Sequence, residues 1–156
     1  MTIELYYKPN KRGGARISIT DSMPESVKEA QRSVAAAQGL LPVSNLSERP
    51  APTPFGVYRE VLSPVTDQYG GVIGYSQSWT FMPSRVHLSQ AKLVADKVIA
   101  PLVETLAPLI TQDPDLSAWW ANDMTYVRGS VMAQKAMTAL GMTQEQIEEI
   151  ALRCRG

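Results

Sequence analysis

One cysteine and one histidine leave this chain of 156 residues poorly supplied with soft metal ligands and with nucleophile–base pairs. Cys154 alone cannot form an internal disulfide, which fits folding in a reducing compartment. His87 has no second histidine and no nearby cysteine, so a zinc or haem site lacks ligands. No nucleophile or carboxylate is marked out beside it, and a surface histidine at a helix start is the reading it supports. Charge of one sign is missing too. The 15 basic and 15 acidic residues cancel, so no global field draws the chain to nucleic acid or to a membrane. Long hydrophobic runs are absent. The most apolar stretch, residues 94–110, is interrupted by Asp96, Lys97, Glu104 and two prolines, which excludes a membrane span. The first twelve residues have no apolar signal-peptide core, so no secretory export is expected.

An apolar fraction of 44% is ample for a core. Residues 48–83 carry the clearest pattern. A proline-stiffened entry leads into residues 57–63, where Val57, Arg59 and Val61 alternate with Tyr58, Glu60 and Leu62, a period of two that marks a strand. Residues 64–71 are turn material with a Gly-Gly pair. Residues 72–82 return with Val72, Tyr75, Trp79 and Phe81. Upstream, residues 2–7 and 15–20 alternate as two further strands around a basic loop that closes on Gly13-Gly14. Between these strands and the hairpin, Ser22-Met23-Pro24-Glu25 has the spacing of a capping box. Val27, Ala30, Val34 and Ala37 form a narrow apolar stripe at helical spacing, and Gly39 ends the helix. Leu40 and Leu41 are expected to be buried. Residues 42–54, polar and proline-rich, are expected to form an extended surface connector.

From residue 84 onward the period is helical. Leu88, Ala95, Ile99, Leu102, Leu106 and Leu109 recur in steps that keep one seam, widened by Val94, Val98, Val103 and Ile110. Pro101 and Pro108 predict a bent or broken helix. Ser84 or Ser89 can cap its start. Asp113-Pro114 opens another helix carrying Leu116, Trp119, Trp120 and Met124. Gly129 and Gly141 bracket a further segment, and Thr143-Gln144-Glu145-Gln146 is a second capping box before a helix ending near Arg153. The expected fold is therefore α+β: a domain over residues 1–83 with a hairpin at 57–82, followed by an all-helical region over 84–156.

The remaining candidates have plain structural readings. Arg153 and Arg155 flank Cys154 and would lower its pKa, which is how a reactive thiol is made, although a near-terminal cysteine is usually incidental. Asp113, Asp115 and Asp123 lack the spacing of a calcium loop. Neither glycine pair sits in a phosphate loop. Lys8, Lys11, Arg12 and Arg16 are the only basic cluster. With Tyr6 and Tyr7 nearby they could touch nucleic acid, but the balanced charge favours a solvated loop. Trp119-Trp120 diverge by about 100° on a helix, so core packing competes with an interface anchor. Candidate interface residues are Trp119, Trp120, Ile99, Leu102, Leu106, Leu109 and Trp79. No catalytic residue, metal ligand or cofactor is nominated.

The order of features in residues 15–83 resembles small tail-associated proteins of tailed bacteriophages. The resemblance rests on Ile17 and Ile19, the helix 23–38, Leu40-Leu41-Pro42-Val43, Glu48-Arg49-Pro50 and Ser78-Trp79-Thr80. It covers about half of the chain, and neither end has a counterpart. It implies a non-enzymatic structural or adaptor protein of a phage tail, baseplate or tail fibre, located in the virion and held against other tail or fibre proteins or a second copy of itself. Two alternatives are a tail-fibre assembly chaperone absent from the finished particle and a small regulator that binds nucleic acid or a host factor. The expected partners include no membrane, and nucleic acid is disfavoured.

Overall fold

The computed structural model describes residues 1–122 and 124–156. Strands β1 (Thr2–Lys8) and β2 (Ala15–Thr20) pair antiparallel, with Tyr6 opposite Ile17 and Lys8 opposite Ala15. Asn10 organises the turn between them: its side-chain oxygen accepts from the N–H groups of Arg12 and Gly14, at 2.8 and 2.9 Å. Gly14 has φ +113°, and a Cβ there would stand 2.3 Å from the Tyr7 ring, so only glycine fits.

Helix α1 (Glu25–Ala37) follows. Its cap is Pro24, in extended backbone, and no side chain caps it. The expected Ser22–Glu25 capping box is thus corrected: Ser22 lies two residues before the cap position and meets the Thr20 hydroxyl at 3.0 Å, while Glu25 turns to Arg32. The C-terminus closes as expected on Gly39 (φ +66°), with Gly39 N–H donating to Ala36 and Leu40 N–H to Ala35.

Strand β3 (Leu41–Ser44) comes next, then β4 (Gly56–Thr66) and β5 (Val72–Pro83). The sheet order is β2-β1-β3-β5-β4. β1 and β3 run antiparallel, whereas β3 and β5 run parallel. The start of the supposed connector is therefore a central strand. Pro42 concealed it, because proline is normally kept out of central strands. The pairing is staggered to accommodate it: Leu41 and Pro42 face β1, whereas Val43 and Ser44 face Tyr75 and Ser76 of β5.

This sheet curls strongly. In a flat sheet its outer strands β2 and β4 would lie about 19 Å apart, at roughly 4.8 Å per spacing. Yet Arg16 on β2 grips Glu60 on β4 through two hydrogen bonds of 2.5 and 3.1 Å, and Gln77 of β5 joins the same carboxylate. Beneath that pair, Tyr7 and Tyr75 meet edge-to-face at 4.9 Å over a core of Leu5, Val43 and Tyr75. Ile19, Ala35 and Leu40 are buried as well.

The chain divides into two compact units, residues 1–51 with 58–81, and residues 52–57 with 82–156. The second unit is not all-helical, which corrects the expected fold class. The molecule is mixed α/β, with a five-stranded sheet of parallel and antiparallel strands and six α-helices interspersed among the described residues. Strands β6 (Val86–His87) and β7 (Thr125–Tyr126) pair inside the second unit. Two residues are too few to show alternation, so no periodicity marks them.

The long apolar seam is broken into α2 (Gln90–Ala95), a 3₁₀ turn (Ala100–Leu102) and α3 (Val103–Gln112), which contains Pro108. Ser89 caps α2. Asp96 makes the break: its carboxylate accepts from the N–H groups of Val98 and Ile99 and from Arg153. Helix α4 (Pro114–Asn122) is capped by Asp113, which accepts from Asp115 and Leu116. Helices α5 (Val131–Leu140) and α6 (Gln144–Arg153) complete the unit, with the Thr143–Gln146 capping box formed in full. Leu93, Ile99, Ile150 and Cys154 make its core.

Two outcomes test this architecture. An added Cβ at Gly74 would fall 2.8 Å from the Pro42 carbonyl oxygen, so Gly74→Ala should cost about 1–3 kcal/mol by overpacking the β3–β5 junction; urea unfolding measures it, and an unchanged midpoint would contradict the pairing. The Arg153 guanidinium, with two backbone N–H groups, holds the Asp96 carboxyl down to about 2. A depressed folded pKa gives stability that is complete above the ordinary aspartate range and lost as pH falls through 2. Thermal melts should therefore fall more steeply between about pH 4 and pH 2 in the parent than in Asp96→Asn.

Candidate protein-binding surface

The side chains that could do chemistry are dispersed. His87 is exposed on β6, and its carbonyl accepts from Gly156. Cys154 is 1% exposed. The flanking arginines do not activate it as the sequence suggested; burial, reinforced by the nearby Asp96 carboxylate, pushes its thiol up. Among the described residues, no group of three His, Cys, Asp or Glu side chains could hold a metal ion. Asp113 and Asp115 both pair with Lys135, and Asp123 lies outside the described residues. Glu148 is the one buried charged residue among the described residues. Arg128 grips it through both oxygens and Tyr126 donates to it at 3.0 Å, so the buried carboxylate is met by a guanidinium and a phenol. Burial against that carboxylate pushes the Tyr126 phenol up.

The interface candidates of the second unit fall mostly around one space. Ile99 is 2% exposed, in the core. Leu106, Leu109, Trp119 and Trp120 are half-buried and, with Ile99, border an apolar cavity of about 80 Å³. The two indoles stand 6.4 Å apart, and Trp119 Nε1 donates to the Thr125 carbonyl at 2.8 Å. Leu102 is half-buried in the 3₁₀ turn. In the first unit, half-buried Trp79 donates to the Ser47 hydroxyl at 3.1 Å.

The basic loop does not converge on one patch. Lys8 reaches the Gln38 carbonyl at the end of α1, and Arg16 is neutralised by Glu60, whose carboxyl it holds below the usual range. Lys11 and Arg12 alone stand out from the turn, both exposed.

A surface that the sequence reading did not nominate lies on α1. The helix is turned against its own amphipathic pattern. Lys28, Gln31, Arg32 and Ala35, one face at helical spacing, are the residues withdrawn from solvent. The apolar stripe of Val27, Ala30, Val34 and Ala37 is exposed, with Val27 at 40% and Val34 at 43%. Arg32 fixes this rotation. Its guanidinium donates to both oxygens of Glu4 on β1, at 2.7 to 3.3 Å, and also to Glu25 and Glu29. Arg32, followed by the Tyr6 hydroxyl, holds the Glu4 carboxyl below its ordinary value. The stripe itself was legible; its direction was not, because nothing in the spacing says which partner an amphipathic helix meets.

The far end of the β4–β5 hairpin adds a second exposed apolar group. Asp67 closes the turn by accepting from Tyr69 and Gly71. Around it Val65, Val72 and Ile73 are exposed, and Tyr69 is 87% exposed. β3 supports β5 only at Tyr75 and Ser76.

No family model matches this chain, and neither the curated proteins nor the solved structures contain a match. No helix among the described residues is long and apolar enough to cross a membrane. The buried thiol gives a direct check on the second unit. Cys154 should react with a neutral disulfide reagent at least 100-fold more slowly in the native protein than in denaturant, because the thiolate is both suppressed and covered; native-state labelling as fast as that of a free thiol would contradict the placement.

Proposed function

We propose that this protein is a non-enzymatic structural or adaptor component of a phage tail, baseplate or tail fibre, acting through protein–protein contacts. One observation carries the reading of a binding protein: α1 turns its charged side to its own sheet and its valine–alanine stripe to solvent. A helix whose apolar face is not used within its unit is suited to a groove on another chain, with anchors at i, i+3 or i+4, and i+7. Val27, Ala30 and Val34 have that spacing. The exposed tyrosine and β-branched residues of the hairpin end supply a second apolar contact of the kind enriched at interfaces. The tail assignment rests on the order of features in residues 15–83 and on their resemblance to tail-associated phage proteins.

The test is co-purification with the tail, baseplate and fibre proteins of the same particle, followed by Val27→Glu/Val34→Glu. Both positions are exposed, so the fold should survive with an unchanged melting temperature. Complex formation should weaken at least tenfold, because two carboxylates would be desolvated in the contact. An undiminished complex would remove α1 from the interface. Mass spectrometry of purified particles should detect the chain; if it forms the complex yet is missing from the particle, the structural role gives way to that of an assembly chaperone.

A further inference from the structure

The cavity in the second unit has a built wall. Ala133, Ala136 and Ala139 line one side from successive turns of α5, with Ala151 of α6, and the indoles of Trp119 and Trp120 line another. Leucine-sized side chains at these alanines would occupy the space, so small residues keep it open. Two polar groups at its edge are already bonded. The Thr125 carbonyl accepts from Trp119, and the Tyr126 hydroxyl donates to Glu148. A guest would find carbon on nearly every side and no open hydrogen-bond partner among these groups. Sugars, nucleotides, amino acids and carboxylates would each lose their water here without replacement, and water itself is disfavoured for the same reason.

We infer that this cavity is a binding site for a small uncharged hydrocarbon group. The volume of about 80 Å³ sets its size. Next to the roughly 150 Å³ of a cavity that takes up benzene, it admits about three carbons. Such a group comes either as a free small hydrocarbon or as the methyl end of a longer chain whose polar head stays outside. In both cases affinity derives from apolar surface removed from water against two aromatic faces and a set of methyl groups.

The experiment uses the full chain carrying Trp79→Phe, so that fluorescence reports Trp119 and Trp120 alone. Cyclopropane probes the free hydrocarbon and decyl maltoside, below its micelle concentration, probes the chain end. A saturable change in emission with at least one probe is expected. Saturation with cyclopropane alone assigns the free source, and saturation with decyl maltoside alone assigns the chain end. Ala136→Leu should raise the melting temperature and weaken binding at least tenfold. Ala139→Leu serves the same purpose should the first variant fail to fold, and exposed Ala118→Leu should leave binding unchanged. The inference is overturned if neither probe saturates, or if a folded, cavity-filled variant binds as the parent does.

Discussion

The ion pair between Arg32 and Glu4 decides what the first unit presents to its surroundings. A guanidinium fork on a carboxylate is directional as well as strong, since two parallel N–H groups must face two oxygens. Satisfying it from α1 to β1 sets the rotation of the helix. Ala35, wholly buried, is then the contact point against the sheet side, and Val27 and Val34 are carried outward. The opposite rotation would bury the valines but leave both Arg32 and Glu4 without each other. The surrounding charges reinforce the choice, because Glu25 and Glu29 also face Arg32. The exposed apolar stripe is thus the by-product of an electrostatic contact made on the other side of the same helix.

A second ion pair marks how far the sheet curls. Arg16 and Glu60 come from the two outermost strands, so their contact is possible only after the sheet has curled over Leu5, Val43 and Tyr75. The curl depends in turn on the short central strand Leu41–Ser44, which joins one hairpin antiparallel and the other parallel. Gly74 permits the close approach of the Pro42 carbonyl at that junction. The second unit solves a different problem. Its apolar seam is too broad for one helix face, and Asp96 and Pro101 stand where it divides into short pieces that fold back around Ile99 and Ile150, whereas Pro108 is accommodated inside α3.

What the sequence disclosed follows from how local each signal is. The strands with clean alternation, the Gly39 terminus, the Asp113 cap and the Thr143–Gln146 box depend on neighbours within a few residues, and all are present. The Leu41–Ser44 strand was hidden because Pro42 argues against a central position and four residues carry no period. The Val86–His87 and Thr125–Tyr126 pair was hidden because its evidence lies far apart in the chain. The rotation of α1 could not be read at all: amphipathicity defines two faces, and only the tertiary partner Glu4 says which is inside. Cys154 misled for the same reason, since its sequence neighbours are cationic while the fold buries it beside Asp96.

The proposed binding role requires that another polypeptide occupy the outward face of α1. Replacing Val34 with a photo-crosslinking phenylalanine analogue, and separately Ser33 as an exposed polar control, tests this in the presence of tail, baseplate and fibre proteins. The account predicts an intermolecular adduct from position 34 that far exceeds any from position 33. Irradiation that leaves the Val34 variant uncrosslinked, or joined only to its own chain, would contradict it.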